Sequence, residues 1–431
     1  MEMLVVQGGR VLSGRVRVDG SKNATLPIMA ASLAVDGPVT LINVPALKDV
    51  STMIQLLRSL GAVVTEGGGR LEIEAQAVNG VAAEYDLVRR MRASVCVLGP
   101  LLARFGSARV SLPGGCNIGH RPIDLHLRGL SALGADIRIS GGYVVAEAAI
   151  LRGAETHLGG PHGSSVTATC NVMTAAALAE GRTVIHNAAM EPEVASLATF
   201  LNSLGADIRG TDTSTIEILG VERLSGGSHS IPPDRIEAAT LAIAAAITRS
   251  AIEIDHAPVE QLTAVLAKLR EIGVEVQTAD TRLILNADRE LRPVDVTAVP
   301  YPGIPTDTQA QFMALLSTIP GTSVITDSVF PDRFMHASEL TRMGARLQRI
   351  GDSTVTQGVM SLSGAALMAS DLRASAALLL AAMAADGDSQ IRRIYHLDRG
   401  YVRLEEKLNQ LGASIVRCDE TSTAATANAL G

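Results

Sequence analysis

Residues 50–62 read VSTMIQLLRSLGA, a short amphipathic segment that closes on Leu60-Gly61-Ala62. The same closure returns at Leu133-Gly134-Ala135, Leu204-Gly205-Ala206, Ile272-Gly273-Val274, Met343-Gly344-Ala345 and Leu411-Gly412-Ala413. The six glycines are spaced 73, 71, 68, 71 and 68 residues apart, so the chain is an internal repeat. Around each closure the order is constant. An Ala-rich helix, apolar nearly all round, comes first (Ala24 to Val35, Ala374 to Ala385). A Gly turn and a β-branched strand follow (Val39 to Ile42, Thr183 to Ile185), then a second helix with one polar face, ending at the repeated Gly as a left-handed cap. A further strand, such as Val63 to Thr65 or Asp207 to Arg209, completes the unit. Strand and helix alternate, which makes the chain α/β. The all-apolar helix belongs inside and the amphipathic one outside.

Six such units exceed one ordinary core, and 431 residues suggest two or three domains. Three units per domain is the natural division. The stretch Ser225-Gly226-Gly227-Ser228 near the middle reads as a linker. The expected domains are 21–228, carrying a cysteine loop, and 1–20 plus 229–420. The strand-like Val11 to Val18 would pair with the second of these, and 421–431, rich in Ala, Thr and Ser, reads as a frayed tail.

Composition excludes several classes. Apolar residues are 47% and charged residues 19%, enough to bury large cores. Aromatics are 2% with no Trp, leaving few platforms on which to stack single-stranded nucleic acid. A net charge of −7, from 37 basic and 44 acidic residues, disfavours a nucleic-acid or anionic-membrane binder. The N-terminus lacks the pattern of a signal peptide, and no apolar run approaches the ~20 residues of a bilayer span. Cys96, Cys116, Cys170 and Cys418 are widely spaced with no CxxC pair, which fits reduced thiols in a cytoplasm.

Aligning the units on their glycines makes two loop positions comparable. The start of each buried helix carries Ser21-Lys22-Asn23, Arg92, Ser164-Ser165, Asp234-Arg235, Asp307, and Asp371 with Arg373. The loop after the β-branched strand carries Lys48-Asp49, Cys116 with Arg121, Glu191 with Glu193, Arg333, and Arg399. Equivalent positions on repeated units should share a face, and two such faces would form a cleft rich in Lys22, Arg92, Arg121, Arg333, Arg373 and Arg399. Such a cleft suits a ligand bearing phosphate and carboxylate. The bland alternative is solvated charge or salt bridges between domains. Cys116 lies in Pro113-Gly114-Gly115-Cys116-Asn117-Ile118-Gly119, a glycine-rich loop longer than its counterparts and followed by His120 and Arg121. Neighbouring cations favour a thiolate there, and the alternative is a small hydrophobe in a turn. Cys96 and Cys170 lie in apolar helices and read as core. Asp307 reads either as a helix N-cap or as a base in a dry cleft, and Asp234 and Asp371 share the N-cap alternative. No His/Cys/Asp cluster has metal-ligand spacing, and no phosphate-binding glycine motif is present.

Taken together, GSKN at 20–23, MRAS at 91–94, LPGGCNIG at 112–119, RPIDL at 121–125, PTD at 305–307, RFMH at 333–336, DLRAS at 371–375 and HLDRGY at 396–401 resemble the UDP-N-acetylglucosamine 1-carboxyvinyltransferase family of enolpyruvyl transferases. The resemblance spans residues 2–417. It implies two inside-out α/β barrels of three repeated units each, with the site between them. It implies transfer of the enolpyruvyl group of phosphoenolpyruvate to the 3-hydroxyl of UDP-N-acetylglucosamine with loss of phosphate, opening peptidoglycan precursor synthesis without a metal or other cofactor. Cys116 would protonate the vinyl carbon and could form a phosphoenolpyruvate adduct. It would also be the thiol alkylated by fosfomycin. Lys22, Arg121 and Arg399 would hold phosphate and carboxylate, with Arg92 lining the same pocket. Asn23 and Asp307 would meet the sugar, Asp307 as base. Arg121, Pro122, Ile123, Asp124 and Leu125, with Gly163, Ser164, Ser165 and Val166, would contact uridine and diphosphate. Val329 would pack on the nucleotide, and Arg333, Asp371 and Arg373 would be polar substrate-binding groups of the cleft.

One segment departs from the pattern. Where family members often carry a lysine and Ser-Val-Gly, this chain has Gly163-Ser164-Ser165-Val166-Thr167. Serine hydroxyls and helix N–H groups would then take over the diphosphate. Two alternatives stay open at this point. One is a paralogue using another nucleotide, another sugar or shikimate 3-phosphate, the last disfavoured by the PGGC loop. The other is a non-catalytic sugar-nucleotide binder.

Overall fold

A computed structural model describes residues 2–112 and 123–420. They fall into two compact units, 20–232 and 2–19 with 233–420, so the chain passes between units at Asp19–Gly20 and at Pro232–Pro233.

In the unit containing 233–420, the helices Arg235–Ile247, Thr306–Leu316 and Leu372–Ala384 pack on one another. All thirteen residues of the first are buried. A helix without a polar face must be enclosed on every side, and here the sheets supply the enclosure. The strand Gly321–Asp327 runs parallel to Val296–Ala298 and antiparallel to Ser353–Gly358, which pairs antiparallel with Arg346–Ile350. Buried and half-buried residues alternate along Ser353–Thr356, as expected for strands with one face on a core.

This strand order repeats in all six four-stranded sheets among the described residues. Three belong to each unit. In the unit 20–232 the helices Lys22–Ala31, Leu98–Phe105 (with the 3₁₀ turn Arg92–Val97) and Val166–Ala176 take the inner places. Each unit is therefore an α/β barrel with its apolar helices inside and its sheets around them. The repeated glycines Gly61, Gly134, Gly205, Gly273, Gly344 and Gly412 all have φ between +93° and +114°, the left-handed turn that ends the outer helix of each repeat.

The strands that close the sheets come from distant parts of the chain. Ser13–Arg17 lies parallel to Ala251–Asp255. Glu2–Gln7, not anticipated from the sequence, sits between Asp388–Arg392 and Ser414–Asp419 and stands in for the second hairpin strand of the sixth repeat. Its Met3, Leu4 and Val6 are fully buried.

The linker expected at Ser225–Ser228 is instead part of the strand Leu224–Ser230, which runs parallel to Val35–Ile42 with a register shift between Ser225 and Gly227. Its glycines serve close approach rather than flexibility. A Cβ at Gly226 would stand 2.5 Å from the Pro38 carbonyl oxygen, and one at Gly227 2.6 Å from a Leu204 methyl. The passage between units is made by the stiff pair Pro232-Pro233. The expected tail at 421–431 lies outside the described residues. Among the described residues, no helix is long and apolar enough to cross a membrane.

Because Glu2–Gln7 completes a core sheet, Leu4→Ala should cost about 2–5 kcal/mol. Thermal unfolding followed by limited proteolysis checks this: fragments from the unit containing 233–420 should appear at lower temperature, with those from 20–232 unchanged.

Candidate active site

In the unit 20–232 the sequence-predicted residues sit at helix starts. Ser21 caps the helix Lys22–Ala31 by accepting the Ala24 N–H at 3.3 Å, which puts Lys22 and Asn23 in its first turn. Lys22 is buried, with its Nζ 3.7 Å from Asp49, itself buried at the start of the helix Lys48–Ser59. Arg92 opens its 3₁₀ turn. Asp124 is exposed at the start of the helix Asp124–Ala132, flanked by buried Ile123 and Leu125. Gly163 and Ser164 pair with Gly159 and Gly160, and Ser165 caps the helix Val166–Ala176 by accepting the Ala168 N–H. That helix end favours anions through its first N–H groups.

One buried histidine ties three of these starts together. His126 faces Asn171 Nδ2 through Nδ1 at 3.0 Å and Thr167 Oγ1 through Nε2 at 3.1 Å. The Asn171 amide is oriented by the backbone: its oxygen accepts the Gly99 N–H at 2.6 Å and its nitrogen donates to the Val95 carbonyl at 3.0 Å. Nδ1 therefore accepts, and the ring proton sits on Nε2 and is donated to Thr167. Burial, reinforced by Arg92, pulls the His126 pKa down to about 3 and keeps the ring in this neutral form. A lone His in an amphipathic helix gave no sequence signal for this role.

In the other unit Asp307 lies in the first turn of the helix Thr306–Leu316, but the N-cap position there is Pro305. Two arginines take its carboxylate instead: Arg333 Nη1 at 2.8 Å from Oδ1 and Arg373 Nη2 at 2.8 Å from Oδ2. Both arginine side chains are buried, 5% and 1% exposed, while Asp307 keeps 22%. Asp371 and Asp234 do cap helices. Asp371 accepts the N–H groups of Arg373 and Ala374, and Asp234 those of Ile236 and Glu237. Arg333 also donates to Thr306 Oγ1, which donates to Asp327 at 2.6 Å. Asp327 accepts the Val329 and Phe330 N–H groups, so the half-buried Val329 is fixed to the same cluster.

The charges here hold one another. Burial alone would lower the pKa of Arg373, but Asp307, with Tyr401 and Asp234, holds it above the ordinary value. Burial would raise Asp371, but Arg333, the Ala374 N–H and His336 hold it below the carboxylate range. Burial pulls His336 down to about 4 against the opposing field of Asp371. The Arg373 guanidinium stacks 5.2 Å over the Tyr401 ring, whose hydroxyl lies 2.9 Å from Thr240 Oγ1. Arg399 ends the 3₁₀ turn Ile394–Arg399 and, with Asp371, acts on the half-buried His396.

Thus Asp307, Val329, Arg333, Asp371 and Arg373 form one linked cluster, and Lys22, Asn23, Arg92, Ile123–Leu125 and 163–166 belong to the other unit. Cys116, Arg121 and Pro122 lie outside the described residues. Cys96 and Cys170 are buried, and burial pushes the Cys96 thiol up to about 12 and Cys170 well above its ordinary value. Neither can supply a thiolate near neutral pH.

The family model described as EPSP synthase (3-phosphoshikimate 1-carboxyvinyltransferase) matches residues 6–408. This chain is an enolpyruvyl (1-carboxyvinyl) transferase. UDP-N-acetylglucosamine 1-carboxyvinyltransferase 2 of Carboxydothermus hydrogenoformans is 49% identical over 97% of this chain and 100% of its own length. The UDP-N-acetylglucosamine 1-carboxyvinyltransferase of Geobacter metallireducens is 51% identical over 97% and 100%. Among solved structures, the enolpyruvyl transferase NikO of Streptomyces tendae superposes with a TM-score of 0.88 at 28% identity, covering 97% of this chain and 99% of that one. EPSP synthase of Acinetobacter baumannii shares the fold, with a TM-score of 0.74 at 18% identity over 97% and 100%.

The two buried histidines give this enolpyruvyl transferase an acid sensitivity of known sign. Unfolded histidine takes a proton near pH 6.5, whereas His336 and His126 in the fold resist to about 4 and 3. Their contribution to stability is therefore full above pH 6.5 and is lost as pH falls toward 4. At pH 5 each should cost about 2 kcal/mol. Calorimetry from pH 7.5 to 5 should show Tm falling, with a shallower fall for His336→Asn, and a flat Tm would contradict this account.

Proposed function

We propose that this enolpyruvyl transferase moves the enolpyruvyl group of phosphoenolpyruvate onto the 3-hydroxyl of UDP-N-acetylglucosamine and releases phosphate, as the opening cytoplasmic step of peptidoglycan precursor synthesis. The observation that carries this reading is the near-complete alignment, at about half identity, with relatives bearing that acceptor in their names.

In this reading Lys22, Arg121 and Arg399 hold the phosphate and carboxylate of phosphoenolpyruvate, with Arg92 beside them. Asn23 and Asp307 take the sugar. Each Asp307 oxygen receives one guanidinium N–H, which fixes the carboxylate that accepts the 3-hydroxyl proton in this reading. The hydroxyl oxygen bonds to the central carbon of the enol as its proton passes to Asp307, and Cys116 delivers a proton to the terminal carbon. The resulting tetrahedral adduct loses phosphate and a proton from that terminal carbon, restoring the double bond. Fixed cations stabilise the adduct because its charge is greatest where they are held. Pro122, Ile123, Asp124 and Leu125 meet the uridine. Gly163, Ser164, Ser165 and Val166 offer the diphosphate hydroxyls and helix N–H groups in place of the lysine common in the family. Val329 packs on the nucleotide, and Arg333, Asp371 and Arg373 keep Asp307 in place. No nucleic acid or membrane enters this scheme.

Phosphate release with phosphoenolpyruvate and UDP-N-acetylglucosamine tests the reading directly, with shikimate 3-phosphate as the competing acceptor. Folded protein that releases phosphate only with another acceptor would reject it. Cys116→Ser should lower kcat by about 10²-fold or more while calorimetric binding of the nucleotide sugar persists. Fosfomycin should add to Cys116 alone, which peptide mass spectrometry reads. Arg399→Ala should raise KM for phosphoenolpyruvate more than KM for the nucleotide sugar.

A further inference from the structure

The segment carrying Arg399 is held in an unusual way. It leaves the strand Asp388–Arg392 through Arg393 at φ +58° and enters the helix Leu404–Gln410 through Arg403 at φ +45°. Two non-glycine residues in the left-handed region persist only where surrounding contacts fix them. One anchor is Tyr401, buried under Arg373 and hydrogen-bonded to Thr240. The other is Asp398, immediately before Arg399.

Both carboxylate oxygens of Asp398 are taken by one guanidinium. Arg417, on the strand Ser414–Asp419, donates Nη2 to Oδ1 at 2.7 Å and Nη1 to Oδ2 at 3.1 Å. The fork is aimed from its other edge: Nε donates to Glu405 at 2.7 Å, with Glu405 4% exposed. Nη1 also reaches Glu2 at 3.1 Å. The Arg417 side chain is 12% exposed. A two-point fork fixes the plane and distance of the carboxylate together, which a single ammonium contact does not.

We propose that Arg417, through its bidentate grip on Asp398, is a positioning residue for Arg399 and thereby tunes the hold on phosphoenolpyruvate. The grip also occupies the adjacent carboxylate with Arg417, a cation outside the substrate set. This inference rests on the reading of Arg399 given above. Arg417 touches no substrate. Its effect runs along one peptide bond, from a carboxylate fixed to the sheet to the neighbouring guanidinium.

The test uses the full chain and compares Asp398→Asn, Arg417→Lys, Arg399→Ala and the double variant Asp398→Asn/Arg399→Ala. Asp398→Asn keeps the side-chain shape and leaves the Arg417–Glu405 pair intact. Misplacing a substrate-holding group should raise KM for phosphoenolpyruvate about tenfold, with KM for UDP-N-acetylglucosamine within about twofold. Arg417→Lys should show the same split. In the Arg399→Ala background, Asp398→Asn should add nothing to KM for phosphoenolpyruvate, because its effect acts through a side chain already absent. A purely structural role would lower Tm and the active fraction while leaving both KM values unchanged. That outcome overturns the proposal, as does an undiminished effect of Asp398→Asn in the double variant. If Arg399→Ala itself leaves KM for phosphoenolpyruvate unchanged, the reading of Arg399 fails and the positioning role falls with it. A raised KM in Arg399→Ala alone leaves the reading standing and rejects Arg417.

Discussion

Apolar helices with no polar side dictate this architecture. Arg235–Ile247 is buried along its whole length, and Leu372–Ala384 along nearly all of it. Small alanine side chains let three such helices approach closely, and the apolar faces of the sheets cover the bundle and keep it from water. The burden of solubility falls on outer helices and outward strand faces. Much of the polar chemistry, including Lys22, Asp307 and Arg373, consequently gathers at helix starts, where backbone N–H groups and capping side chains already require partners. The repeat thus multiplies a place for a site as well as a fold.

Much of this was legible in the sequence because it is local. The spacing of Gly61, Gly134, Gly205, Gly273, Gly344 and Gly412 reports a steric requirement at each residue, and every one is left-handed in the structure. The alternation of all-apolar and one-sided helices reports burial directly. Nothing local marked Glu2–Gln7, since its partners lie near residues 390 and 415 and pairing over that distance has no periodicity to reveal it. Ser225–Ser228 misled for a related reason. Glycine permits both a flexible joint and a tight backbone approach, and only the neighbouring Pro38 carbonyl decides between them.

The candidate site divides in the same way. Residue types and their places at helix starts singled out Asp307, Arg333 and Arg373, but their mutual ion pairs are a tertiary fact. Asp307, Asp371 and Asp234 look alike in sequence. Two cap helices and the third is held by guanidinium groups, because Pro305 occupies the capping position ahead of Asp307. His126 was invisible for want of any pattern, although it sets the hydrogen-bond direction between Asn171 and Thr167. Its tautomer follows from two backbone groups that orient Asn171, so backbone geometry governs which way the half-buried Thr167 hydroxyl can point.

Strands from opposite ends of the described residues meet in one barrel: the sheet of the sixth repeat takes one strand from residues 2–7 and its neighbour from 414–419. During synthesis the barrel made of 20–232 can therefore close while the ribosome is still translating the second half. The strand Glu2–Gln7 must wait, exposed, for partners translated near residues 390 and 415. Its buried Met3, Leu4 and Val6 form a short apolar edge throughout that interval, the kind of segment that chaperones cover and that pairs wrongly with other nascent chains. Bulk placed beside Glu2–Gln7 would bear on the final act of folding rather than on its beginning.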